Sequence, residues 1–399
     1  MDMYLQFGHG MMGHTRELIG SWGGGTVVLS PRDLKPDQLS RFASEVTGLS
    51  GGRVLLDPQC YLPDSDHARL CSHNYWPEDY ASGAFWTGGE LTDLLSGLLE
   101  LNNSVGAEAL ILPGMYGQDV GRDWLATQAT IQEASESLDT SLPVYVTIAL
   151  SADALRTDEQ VGALLEDAQS HPADGYYLVL EHPGGDYFAD DPSWLASVLD
   201  IVAGLRLLDS KVVLGYCNQQ MLVAAAANAT AICSGTWMNV RSFTPDKFDV
   251  SEEAEMRRRA KWYYCPQSFS EYKEQFLDFA FRNGVLDDMA PPAAYDGSYV
   301  GNLFSGTQPS TVGFTEQSAF RHYLHALFHQ SRDAAATSFD ETVALHGTLL
   351  DQAESLMETL AEQGVRGQQR DFSEIIDVNR GALASLVNTR GPMLRREWT

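Results

Sequence analysis

The chain has 399 residues, 44% of them hydrophobic and 20% charged, enough for a sizeable core built as one large unit with an appendage. With 26 Lys and Arg against 54 Asp and Glu the formal net charge is −28, and a surface this acidic excludes a general, sequence-independent binder of duplexes. No apolar run approaches the ~18 residues of a membrane span, residues 1–22 lack the pattern of a secretory leader, and five irregularly spaced cysteines do not form a disulfide framework, so the expectation is a cytoplasmic protein with no membrane contact.

Residues 1–250 repeat one rhythm: a short apolar run, a polar or Gly/Pro break, then a segment with helical period. The eight runs are Tyr4–Phe7, Thr26–Leu29, Arg53–Leu56, Ala109–Leu112, Val144–Ala149, Tyr176–Leu180, Lys211–Gly215 and Thr230–Ser234. Between them the pattern predicts helices over Pro36–Thr47, Gly89–Asn102, Asp119–Ser137, Asp158–Gln169, Pro192–Leu208 and Gln219–Ala227, with the first connection, around Thr15–Gly20, the weakest. Strands buried on both faces read as continuous apolar runs, as Val54–Leu56 and Val212–Leu214 do, and their alternation with helices argues for a parallel sheet. Eight such units fit an α/β fold, a (β/α)8 TIM barrel over residues 1–250; an open doubly wound sheet is the alternative. Neither G-x-G-x-x-G after a strand nor G-x-x-x-x-G-K-[ST] occurs, so no dinucleotide or P-loop site is expected.

From about residue 251 the pattern changes to long helices without strands, an all-helical C-terminal extension over 251–399. A helix is predicted over Ser251–Asn283, carrying Arg257, Arg258, Arg259 and Lys261, and a polar, Gly/Pro-rich stretch at 284–314 follows. Ser338-x-x-Glu341 is a capping box, after which Phe339, Val343, Leu350, Ala353, Met357 and Leu360 mark an apolar face ending near Gly364. That face needs a partner surface: the outside of the barrel, another copy of the chain, or a protein partner.

In a barrel of this kind the reactive residues lie just after the strands. Those positions are unusually polar: His9, Arg32, Asp57, Gln59, Tyr61, Glu181, His182, Asn218, Trp237, Asn239 and Arg241. The third loop, 58–88, is the longest and carries Tyr61, His67, His73, Tyr75, Trp76, Tyr80, Phe85 and Trp86, a lid or a stacking surface. Asp57 and Glu181 each end an apolar strand, and a pair of carboxyls across a barrel can divide nucleophile from acid and base. Arg32 and Arg241 are the cations that would pair Glu181 if it were structural. No cofactor is expected on the first reading; a divalent metal held by His9, Asp57, Glu181 and His182 is the alternative. His322, His325 and His329 share one helix face, opposite Phe320, Leu324 and Leu327, and are expected to face solvent or a partner. Cys217 at a strand end reads as a small buried residue, or else a nucleophile.

The segments YVTIALSADALR (Tyr145–Arg156), DGYYLVLEH (174–182) and VLGYCNQQMLVAAAANATAICSGTWMNVR (213–241) resemble the order of the tRNA-guanine transglycosylase family over about 100 residues. The resemblance implies a (β/α)8 barrel that exchanges a guanine at an N-glycosidic carbon, with Asp57 of LLDPQ matching the aspartate associated with proton transfer or base handling. The chain departs from the family at the nucleophile, where it reads Ala231, Ile232, Cys233, and it lacks the C-x-C-x-x-C…H zinc motif. Three functions follow as expectations. The first is a barrel enzyme acting on a nucleobase or nucleoside, in which Asp57 and Glu181 do the chemistry, Tyr61 or Trp76 stacks on a small planar substrate or a locally bound nucleic acid, and Asn218, Asn239 and Arg241 orient it. The second is a metal-dependent hydrolase on the same face. The third is a degenerate barrel that docks a partner through its C-terminal helices and the arginines at 257–261 and 390–396.

Overall fold

The computed structural model describes residues 1–399 except 66, 77–85, 87, 250–259, 296 and 399. The predicted Tyr80, Phe85, Arg257, Arg258 and Arg259 lie outside the described residues. In chain order the first part runs β1 (Asp2–Gln6), α1 (Met12–Trp22), β2 (Gly25–Leu29), α2 (Pro36–Thr47), β3 (Gly52–Leu56), α3 (Gly88–Val105), β4 (Leu110–Ile111), α4 (Arg122–Ser135), β5 (Val144–Leu150), α5 (Asp158–Ser170), β6 (Gly175–Leu180), α6 (Pro192–Arg206), β7 (Lys211–Leu214), a 3-10 segment (Gln219–Ala227) and β8 (Ala231–Ser234). All eight strands pair in parallel in the order β3-β2-β1-β8-β7-β6-β5-β4. The two ends meet through a parallel bridge between Val54 and Ala107, with the Glu108 N–H donating to the Val54 carbonyl at 3.0 Å, so the sheet is a nearly closed barrel.

The local chemistry explains these elements. Every residue of β6 is buried, the mark of a strand covered on both faces. In α2, Pro36 opens the first turn, where its missing N–H costs nothing, and Leu39, Phe42, Ala43 and Val46 recur at helical spacing on the buried side. The Asp191 carboxylate caps α6 by accepting from the Ser193 and Trp194 N–H groups.

Among the described residues no α-helix directly follows β8, only short 3-10 turns at Met238–Val240 and Pro245–Phe248. Its place is taken from far along the chain by α8 (Glu316–Asp333), which packs on β1 and α1. The Trp22 indole of α1 stacks on Phe328 with centroids 4.2 Å apart and planes 3° from parallel, and its N–H donates to Nδ1 of His325 at 2.9 Å. We expect Trp22→Ala to cost about 2–4 kcal/mol in urea unfolding, as for other large aromatic truncations. A loss below about 1 kcal/mol would show that α8 docks without this stack.

The C-terminal region is largely helical but not all helical. Where a helix is predicted over Ser251–Asn283, the described residues form an antiparallel hairpin, β9 (Trp262–Cys265) and β10 (Ser270–Lys273), and helix begins only at α7 (Glu274–Arg282). Pro266 cannot continue a helix, and the aromatic run Trp262, Tyr263, Tyr264 favours a pleated surface. The predicted capping box is present at α9 (Phe339–Glu362), where Ser338 accepts from the Glu341 N–H. After it come α10 (Ile376–Thr389) and α11 (Gly391–Glu397). α10 lies on α6, which is why α6 is buried almost all round.

Candidate functional site

Five barrel strands send polar groups to one point. Asp57, just beyond β3, is fully buried and accepts from the Gln59 N–H (3.0 Å), from the Tyr61 phenol (2.8 Å to either oxygen), from the Tyr216 phenol (2.8 Å) and from the Tyr177 phenol (3.3 Å). The single hydroxyl proton of Tyr177, on β6, is shared between Asp57 and the Gln6 side-chain carbonyl of β1, which is the nearer at 3.0 Å, and the Gln59 amide donates to Ser30 beyond β2 and to Tyr216 beyond β7, each at 3.0 Å. Gln59 and Tyr216 reach these positions in the left-handed region, at φ 57° and 56°. For residues with side chains that conformation is strained by about 1–3 kcal/mol and persists only where surroundings enforce it. Gly215 is needed for space, since a Cβ there would lie 2.6 Å from the Tyr177 hydroxyl. Burial pushes the Asp57 carboxyl up to about 6, against the opposing pull of its hydrogen bonds.

Glu181, just beyond β6, accepts from the Tyr116 phenol and from the Ala152 N–H at 3.3 Å. It pairs with neither Arg32, whose partner is Asp33, nor Arg241, whose partner is Glu271. The buried Phe243 ring packs against Tyr116 at 6.0 Å and against Tyr61 and Tyr216 at 5.2 and 5.4 Å, so one aromatic plug joins the two carboxyl networks. Phe248 adds a second, at 4.8 Å from Tyr61, with the Arg32 guanidinium over its ring at 4.9 Å.

The remaining predicted residues divide into two groups. Asn218 caps the segment Gln219–Ala227, accepting from the Gln220 N–H at 2.8 Å. His182 is buried against the Asp186 and Tyr187 carbonyls, and burial lowers its pKa to about 4, so it is neutral at pH 7. Trp76 is 6% exposed and packs by Tyr75. By contrast His9, Trp237 and Asn239 line one cavity of about 630 Å³ at the barrel mouth, and the His9 carbonyl accepts the Trp237 indole N–H at 2.9 Å.

Trp237 and Met238 are also a wall of a second cavity, of about 740 Å³, whose opposite side is the β9–β10 hairpin. Here lies the group that strand-end reasoning does not reach. Glu271 of β10 is buried and receives Arg241 at 3.2 Å, Arg370 at 2.7 Å and the Tyr187 phenol at 2.9 Å. Burial alone would raise the Glu271 carboxyl; Arg370 and then Arg241 outweigh it and hold it below its ordinary value. The Arg241 guanidinium lies 3.4 Å from the Tyr323 ring centroid, and Arg370 lies over Trp262 at 4.2 Å.

Among the described residues no three His, Cys, Asp or Glu side chains come together to hold a metal ion, so the set His9, Asp57, Glu181 and His182 does not form a metal site. Of the three α8 histidines expected to face solvent or a partner, His329 is half-buried and the other two are not exposed. His322 and His325 are buried, His322 bonded to the Tyr264 carbonyl at 2.8 Å, and its pKa falls to about 4 through burial. Cys217 is a buried thiol pushed up to about 12 by burial, unsuited to nucleophilic work. The arginines at the C-terminus are engaged within the chain, Arg390 with Asp200, Arg395 with Asp340 and Arg396 with Glu397.

No family model matches the chain, and the search of curated proteins found no match. Among solved structures, nitroalkane oxidase from Streptomyces ansochromogenes aligns over 98% of this chain and 97% of its own at 13% identity and a TM-score of 0.30, a likeness too slight to carry an argument about fold or activity.

Proposed function

We propose that the protein is a (β/α)8 TIM-barrel enzyme that acts on a nucleobase or nucleoside and makes or breaks an N-glycosidic bond at the barrel mouth. The observation that supports this most is Asp57: a strand-end carboxyl with its pKa raised to about 6, held by three phenols, is poised for proton transfer near neutral pH. In this reading Tyr61 and Tyr216 carry the proton between Asp57 and the substrate, Glu181 is the second carboxyl, and the cavity lined by His9, Trp237 and Asn239 takes the planar ring.

The test is incubation of the protein with a panel of nucleosides, with nucleotides and with tRNA in the presence of labelled guanine, following released or exchanged base by liquid chromatography and mass spectrometry. We expect turnover in one of these, with Glu181→Gln lowering it by about 10²–10⁴-fold. Absence of both binding and turnover across the panel overturns the proposal. A non-catalytic, ligand-binding barrel is the second reading. It is favoured by one observation, that the Asp57 oxygens already accept four groups. Binding without turnover in the same panel selects it.

A further inference from the structure

We propose that the cavity between the loop after β8 and the β9–β10 hairpin is a phosphate subsite that holds the monoester of a nucleoside 5′-phosphate. This deepens the function proposed above and rests on it for the nucleoside half of the ligand. Four cations line the cavity, Arg241, Lys261, Lys273 and Arg370, against two carboxylates, Glu271 and Glu316. Lys261 is spent on Glu274 at 2.6 Å. Arg241 and Arg370 share the single carboxylate of Glu271, with Arg241 and Glu271 buried and Arg370 17% exposed, so among the described residues Arg241, Arg370 and Lys273 face Glu271 and Glu316 with one positive charge in excess. Lys273 makes no ion pair among the described residues and lies 5.0 Å from the Trp262 ring. A buried charge in excess calls for a counter-charge, and planar guanidinium forks match phosphate oxygens.

The position fits the rest of a nucleotide. Trp237 and Met238 form a wall common to this cavity and to the one lined by His9 and Asn239, so a phosphate here places its nucleoside next door. Aromatic walls from Trp262 and Phe320 add stacking surface without charge. The net charge of −28 repels a long polyanion, which favours a mononucleotide over a polynucleotide as the source of the phosphate.

Calorimetry on the full chain, with guanosine, guanosine 5′-monophosphate, inorganic phosphate and a short single-stranded oligonucleotide without terminal phosphate, tests this. We expect the monophosphate to bind at least 10-fold more tightly than the nucleoside, and that gain to fall below about 3-fold in Arg370→Gln and in Lys273→Ala with nucleoside affinity unchanged. Lys273 is only partly buried and makes no ion pair among the described residues, so we expect Lys273→Ala to fold even if Arg370→Gln does not. Equal affinity for nucleoside and monophosphate overturns the subsite and leaves the proposed function standing. Inorganic phosphate bound by the wild type and lost in both variants, with no nucleoside bound, keeps the subsite and overturns the nucleoside reading. An oligonucleotide that binds more tightly than the monophosphate overturns the monoester.

Discussion

Glu271→Gln should destabilise the protein by about 3–5 kcal/mol at pH 7, because it leaves two guanidiniums facing each other with no counter-charge. Arg241 has 2% of its side chain exposed and Glu271 has 3%, so water cannot take over the lost partner. Arg370, at 17%, is nearer the surface and would swing outward, leaving Arg241 to bear most of the cost. The amide retains volume and one acceptor, which isolates the charge from packing. Urea unfolding of the single variants and of Glu271→Gln with Arg370→Gln gives the coupling, and the double variant should recover part of the loss. The pH dependence has a definite sign. A carboxyl held below its ordinary value contributes stability that is present above about pH 4.3 and disappears as pH falls through its lower folded value. A loss under 1 kcal/mol for Glu271→Gln at pH 7 would mean that the triad does not bind hairpin to barrel.

What the amino-acid sequence discloses is local, and what it hides is mostly long-range. The strands are legible because each is a short apolar run between Gly or Pro breaks, and α2 is legible to the residue because its proline start and its apolar spacing agree. β4 is the exception in length, two residues where four are apolar, because its pairing with β3 is reduced to the Val54–Ala107 bridge. The hairpin at 262–273 is hidden by the helix-favouring basic residues that precede it and by the helical pattern of Glu274–Arg282 that follows; Pro266 and the aromatic run before it are the signals that mark the break. The helix that fills the place after β8 comes from residues 316–333, and no periodicity reports which surface a distant helix will cover. The same limit applies to the site. His9, Trp237, Asn239 and Arg241 follow from the rule that barrel chemistry sits after the strands, and the structure gathers them around adjoining cavities. Glu271, Tyr187 and Arg370 come from the hairpin, from a loop and from the turn after α9, so no strand-end rule reaches them. Burial of Ser270, Glu271 and Tyr272 in succession is what shows that Glu271 faces a partner, and burial is a property of the fold.

Asp57 should make stability depend on pH in the opposite sense from Glu271. Its carboxyl is raised to about 6 by burial, so the folded chain holds a proton that the unfolded chain has released above about pH 3.9. The associated stability is fully present below that value and is lost as pH rises through 6. Each pH unit of separation is worth about 1.4 kcal/mol, which gives ~3 kcal/mol between pH 4 and pH 7. Asp57→Asn, neutral at every pH, should therefore gain ~3 kcal/mol on the wild type over that interval, while Asp57→Ala should be less stable than Asp57→Asn throughout by about 3–5 kcal/mol, because it orphans the Tyr61 and Tyr216 hydroxyls and the Gln59 N–H inside the barrel. Urea unfolding of the three proteins at pH 4, 5, 6 and 7 measures both effects. A difference between wild type and Asp57→Asn that stays constant over this range would mean that the carboxyl titrates in the ordinary place, and Asp57 would then be a structural knot with no proton to give near neutral pH. If the difference follows the expected curve, the same inflection near pH 6 belongs in the turnover profile of the wild type, since a proton lost from the folded chain at that pH is the proton that general acid catalysis at the barrel mouth would draw on.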